Sequence, residues 1–247
     1  MWMRYHEISE AGHAVLNPFS PAAIDRLGEV CRLRPGQRVL DLGCGRGEML
    51  ARFARAHAIT GVGVDTSETF LADARARVEE LGVADRVRFE AAEATAYLTG
   101  ARDFDAAVCL GATWIGGGLV GTLRLMAPAL ATDGIVVVGE PYWKEQPPDE
   151  ARRAMGGDPD SFVELGGMVD RFAEAGFELL DMVLADADSW DRYAASQWWP
   201  LSDWLRAHPD EPDAPQIREF FHYTRRSYLT YGHRYFGWGA FVLRGIE

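Results

Sequence analysis

The sequence predicts an α/β fold: a doubly wound, mostly parallel seven-stranded sheet with a helical cap inserted before the last strand. Three observations carry this. Short apolar, β-branched runs recur along the first 140 residues, amphipathic segments separate them, and a long aromatic-rich stretch precedes the final run.

The runs are "RVLDLG" (38–43), "ITGVGVD" (59–65), "RVRFEA" (86–91), "FDAAVCLG" (104–111) and "GIVVVGE" (134–140). Near-continuous apolarity over a few residues marks strands covered on both faces. Between them, "GEMLARFARAHA", "SETFLADARARVEELG" and "LVGTLRLMAPALATDG" repeat apolar residues at the three-and-four spacing of a helix. Alternation of the two patterns predicts a parallel sheet with crossover helices. "DSFVELGGMVDRFAEAG" reads as a further helix, "FELLDMVLAD" as a sixth strand and "GWGAFVLRG" (237–245) as the seventh.

A segment of roughly 45 residues separates the last two strands, too long for an ordinary connection. It reads as two helices, "WDRYAASQWWPLSDWL" and "IREFFHYTRRSYLTY", joined by the polar loop "HPDEPDAPQ". In the second, Ile217, Phe220, Phe221, Thr224, Tyr228 and Tyr231 share one face. The chain is therefore read as one domain, with an N-terminal helical segment 1–34, a core of 35–187 and 233–247, and a cap of 188–232.

With 247 residues the chain can bury one sizeable core, and no apolar run of membrane-spanning length interrupts it. The start "MWMRYHEISE" lacks the pattern of a signal peptide, and the expectation is a soluble cytoplasmic protein. Cys31, Cys44 and Cys109 are widely spaced and form no C-x-x-C, which argues against a disulfide framework or a metal cluster. A formal net charge of -12 without a basic stripe disfavours nucleic acid as a partner.

"VLDLGCGRGEM" is the most informative stretch: a strand runs into a glycine loop that opens a helix. Glycines at 43, 45 and 47 allow a tight turn and close approach to a ligand, and the helix start offers free N–H groups. A dinucleotide fingerprint requires glycine at the sixth position from Gly43, where this chain has Glu48. An acid there is unfavourable beside a pyrophosphate and compatible with a cationic sulfonium cofactor. A nicotinamide dehydrogenase is thus the weaker reading. Further along, Asp65 ends the second strand, where a carboxylate accepts ribose hydroxyls, followed by Thr66. Glu93 lies just past the third strand, placed to accept from an adenine amino group beside the Ala94 backbone, and Leu110 and Gly111 follow the fourth. Alternatively, Asp65 only caps the next helix and Glu93 is only solvated.

"VLDLGCGRG", "GVGVDTS" and "AAEA", in this order and spacing, resemble the binding motifs of class I S-adenosylmethionine-dependent methyltransferases over residues 35–140. The resemblance implies their Rossmann-like fold and S-adenosylmethionine as cofactor. It places Gly43, Gly45 and Gly47, with Asp41, Leu42 and Cys44, along the methionine part, Asp65 and Thr66 at the ribose, and Glu93 with Ala94 at the adenine. Many members carry aspartate where this chain has Glu93. "LNPFS", "GATWIGGG", "GEPYW" and "YFGWG" are also similar to a narrower bacterial group, the YjhP-type methyltransferases.

Ligands of a doubly wound sheet sit beyond the carboxyl ends of its strands, so "GATW" and "GEPYW" are expected around a small-molecule methyl acceptor. Trp114, Glu140, Tyr142 and Trp143 are the candidate wall, joined by Tyr193 and Trp198 of the cap. Glu140 and His13 are the candidate bases, a packing or capping role being the competing reading for His13. Aromatics with a carboxylate also suit a cationic acceptor, and packing is the competing role for the aromatics themselves. The acceptor atom is expected to be N or O. A cofactor-binding sensor without turnover is the alternative to an enzyme.

Overall fold

The computed structural model describes residues 2–156 and 162–246. Seven strands form one sheet: β1 (Arg38–Leu42), β2 (Thr60–Asp65), β3 (Val87–Ala91), β4 (Phe104–Leu110), β5 (Leu130–Trp143), β6 (Phe177–Leu184) and β7 (Phe236–Gly245). Their order is β3-β2-β1-β4-β5-β7-β6, parallel except for β7, which pairs antiparallel with both neighbours. The helices are α1 (Trp2–Ser9), α2 (Pro21–Val30), α3 (Glu48–His57), α4 (Glu68–Glu80), α5 (Ala94–Leu98), α6 (Leu119–Met126), α7 (Asp149–Gly156), α8 (Leu165–Glu174), α9 (Ala187–Ser196), α10 (Trp198–Ala207) and α11 (Ala214–Ser227).

Two apolar cores cover the two faces of the sheet. On one, Leu27 of α2, Phe53 of α3 and Val78 of α4 pack on Val39, Val108 and Val137. On the other, Leu98 of α5, Leu123 of α6 and Phe172 of α8 pack on Leu40, Val138 and Phe241. Burial on both sides explains the continuous apolarity of β1, β2 and β4.

Two local expectations need correction. "GEPYW" does not terminate β5: the strand runs through Trp143, and Glu140, Pro141, Tyr142 and Trp143 pair with Gly239, Trp238, Gly237 and Phe236 of β7. Pro141 is tolerated there for a geometric reason. The Trp143 N–H turns away from β7 to the Val163 carbonyl, and by the two-residue alternation of a strand the Pro141 nitrogen faces the same way, where β4 has already ended. The cap, in turn, has three helices, because "WDRYAASQWWPLSDWL" breaks at Gln197 between α9 and α10. Pro200 cannot donate to the Ser196 carbonyl four residues earlier, so the α9 helix cannot continue through it.

The cap rests on the N-terminal helix. Tyr5 of α1 joins Leu201, Ile217 and Phe221 in a third apolar cluster and stacks on Phe220 at 5.4 Å. α1 and the cap thus form one body over the carboxyl ends of the strands.

Candidate active site

The glycine loop takes its shape from β2. Gly43 N and Cys44 N both donate to the Val64 carbonyl, at 2.8 and 3.1 Å, and Gly45 N donates to Asp65 Oδ2 at 2.9 Å. The other oxygen, Oδ1, accepts from Ser67 N at 2.9 Å. Asp65 therefore clamps the loop with one oxygen and the entry to α4 with the other, while Ser67 itself caps the helix. At Gly47 the backbone is left-handed, φ 67°, and a Cβ would come within 2.6 Å of Phe89 Cζ and 2.9 Å of Ala74 Cβ. Only glycine fits this crossing of loop, strand and helix.

A cavity of about 490 Å³ opens beside the loop. It lies within the range of roughly 300–1,000 Å³ usual for small-molecule sites. Of the residues the sequence singles out, Gly43, Gly45, Asp65 and Thr66 line it from the first two strands. Glu93, Ala94, Leu110 and Gly111 line it after β3 and β4, and Trp114 and Tyr193 complete the set.

The others stand elsewhere. Leu42 is fully buried in the core, and Gly47 packs behind the loop. Asp41 and Cys44 lie beneath the loop, bordering a small void of about 40 Å³ rather than the main cavity. Burial, reinforced by the Asp65 charge, pushes the Asp41 carboxyl up to about 8. Tyr142 and Trp143 are buried, Tyr142 under Gly237 and Trp143 against Phe162 and Phe236 with ring centroids 6.2 and 5.1 Å away. Trp198 packs on the α1–cap cluster. Tyr142 and Trp143 fill the core because β5 continues past the cavity rather than ending at it, whereas Trp198, at the start of α10, is partly buried against the cap cluster.

Glu140 is also outside the cavity lining. Its carboxylate is buried and accepts from Thr113 Oγ1 at 2.7 Å, and the Thr113 carbonyl in turn accepts from Thr122 Oγ1 at 2.6 Å. Burial pushes Glu140 up to about 7, with the Thr113 hydrogen bond and the Arg171 charge opposing. It braces the short turn Thr113–Gly116, which carries Trp114 and Ile115 into the cavity.

His13 meets Glu10 Oε2 through Nδ1 and the Ser196 hydroxyl through Nε2, so both ring nitrogens are occupied by protein partners. Glu48 requires a different correction. Its carboxylate does not face the ligand space but binds Arg52 Nε at 2.7 Å and Arg77 Nε at 2.6 Å. Burial works against this charge, yet the two guanidinium groups hold the carboxyl below its usual range. Glu48 is thus an ion-paired anchor between α3 and α4, and its charge carries no argument against a phosphate.

The cavity also has walls that the sequence reading missed. His6, Ser9 and Glu10 enter from α1 and the residue after it, Gln197 from the α9–α10 junction, and Phe220 from α11. Glu10 is only 1% exposed and ties the end of α1 to the cap, its Oε1 accepting from the Tyr193 hydroxyl at 2.6 Å and from Gln197 Nε2 at 3.0 Å. Tyr193 is held well above its ordinary value by burial and then by the Glu10 charge, so it donates as a neutral phenol. The spacing of Glu10 and His13 was the available signal, but their partners lie in the cap.

Residues 39–134 match the family model of a methyltransferase domain. The Escherichia coli protein YjhP is 44% identical over 242 residues, spanning 97% of this chain and 97% of its own. Crystal structures of S-adenosylmethionine-dependent methyltransferases from Geobacter sulfurreducens and Thiobacillus denitrificans, each in complex with S-adenosylhomocysteine, are 42% and 40% identical. Both have a TM-score of 0.92 and cover 98% of either chain. Sheet order, glycine loop and full-length likeness lead to one conclusion: this chain belongs to the class I S-adenosylmethionine-dependent methyltransferases, with S-adenosylmethionine as its cofactor.

Proposed function

We propose that this methyltransferase acts in the cytoplasm on a nitrogen or oxygen of a small molecule enclosed between the glycine loop and the α1–cap body. One observation carries the reading: the cavity beside Gly43, Gly45 and Asp65 continues into a wall of Trp114, Ile115, Tyr193 and Phe220. A site of this size, roofed by the α1–cap body, suits a small molecule rather than a polymer.

The residues present fit the cofactor. Gly43 and Gly111, with φ of 68° and 82°, bring left-handed backbone to the cavity wall, and at Gly43 a Cβ would come within 2.9 Å of Ala112 Cβ. When bound, S-adenosylmethionine supplies an electrophilic methyl group on a cationic sulfur. Asp65 keeps unused lone pairs on both oxygens for the ribose hydroxyls, with Thr66 alongside. Glu93 and the Ala94 backbone would hold the adenine edge, and Leu110 and Gly111 would lie along the cofactor. Trp114 and Tyr193 wall the acceptor and help to align it with the methyl group. Glu140 acts as a positioning residue through Thr113, and His13 acts through Glu10.

Transfer of isotope-labelled methyl from S-adenosylmethionine to a panel of small amines and alcohols tests this reading. The expected result is a labelled low-molecular-weight product whose formation S-adenosylhomocysteine inhibits. Label appearing only in protein or nucleic acid would refute the small-molecule assignment.

A further inference from the structure

The cavity described above has a one-sided charge. Glu10, Asp65 and Glu93 line it, and among the described residues no arginine or lysine does. Asp65 and Glu93 are assigned to the cofactor, which leaves Glu10 for the acceptor. A carboxylate offers about four acceptor positions, of which Tyr193, Gln197 and His13 occupy three. The donors orient the group and compensate its burial, and they leave one acceptor position, on Oε2, unfilled. His6 stands nearby, its Nδ1 4.0 Å from Glu10 Oε1.

We propose that the methyl acceptor donates a hydrogen bond from an amine to Glu10 and carries no carboxylate or phosphate at its reacting end. The proposal rests on the function stated above and names its substrate class. An anionic group at the acceptor end would face the buried Glu10 carboxylate, and among the described residues no arginine or lysine lines the cavity to offset that repulsion. An amine meets a carboxylate already held in place, beside Trp114 and Tyr193 in the cavity wall. The proposal depends on Glu10, a carboxylate built into the cavity wall, rather than on the acidity of the surface.

The test uses three probes on one scaffold, 3-phenylpropylamine, 3-phenylpropanol and 3-phenylpropanoate, titrated into the full-length protein saturated with S-adenosylhomocysteine. The amine is expected to bind at least tenfold more tightly than the acid, with the alcohol between them. In Glu10→Gln that preference should fall below threefold while the affinity for S-adenosylhomocysteine changes by less than threefold. The wild-type comparison needs no variant, so a folding defect in Glu10→Gln does not obscure it. Equal binding of amine and acid, a preference for the acid, or no binding of any probe at millimolar concentration overturns the proposal. Because cofactor-product binding is measured first, its failure separates a wrong cofactor site from a wrong substrate class.

Discussion

Thr113 Oγ1 donates to Glu140 Oε2 at 2.7 Å, and both side chains are buried. The bond ties β5 to the turn that presents Trp114 and Ile115 to the cavity. Burial raises Glu140 from 4.5 to about 7, so the folded protein holds a proton that the unfolded chain releases earlier. The stability linked to this proton is complete below about 4.5 and is lost as pH rises through about 7. Glu140→Gln should therefore flatten the pH dependence in that window and make the protein more stable at pH 8 by on the order of 1–3 kcal/mol. Denaturant midpoints measured from pH 5 to 8 check this.

Asp65 links the loop to β2 through Gly45 N and to α4 through Ser67 N. Asp65→Ala should weaken S-adenosylhomocysteine binding at least a hundredfold, since it removes the ribose acceptor and releases two backbone donors, about 3 kcal/mol together. Calorimetry on the folded variant measures it.

Trp143 packs on Phe162 and Phe236 away from the cavity. Trp143→Ala should lose about 3–5 kcal/mol of stability, the usual cost of emptying a buried aromatic site. Its affinity for S-adenosylhomocysteine, measured where the variant is still folded, should stay within threefold of wild type. A selective loss of binding would place Trp143 at the ligand after all.

The Tyr193 hydroxyl ties α9 to Glu10 beside α1. Tyr193→Phe removes a hydrogen bond to a charged group, worth about 1.5–3 kcal/mol. Limited proteolysis within 188–232 should be faster in this variant, and S-adenosylhomocysteine should slow it in both proteins. Equal cleavage of the two would leave the α1–cap tie without energetic weight.

The parts of the site that were legible in the sequence are those built from neighbouring elements. The Gly45–Asp65 bond spans 20 residues and joins two consecutive strands through one loop, so the pattern "VLDLGCGRG…GVGVDTS" contains both ends. The Glu10–Tyr193 bond spans 183 residues, and nothing local to "SEAGH" specifies its partner. The same holds for Glu48, half of whose neutralisation comes from Arg77, 29 residues away on another helix. "GEPYW" looked like a strand end because Pro141 cannot donate to a ladder; its continuation depends on β7, the last strand of the chain. Periodicity thus located the sheet and the loop, whereas long-range pairing decided which acids and aromatics reach the cavity.

The most direct test is a crystal structure of the protein with S-adenosylhomocysteine. The account predicts ribose hydroxyls on Asp65, the adenine edge at Glu93 and Ala94, and the sulfur facing the space between Trp114, Tyr193 and Glu10. A sulfur turned away from that space, or a cofactor product lying outside the cavity beside Gly43 and Gly45, would contradict it.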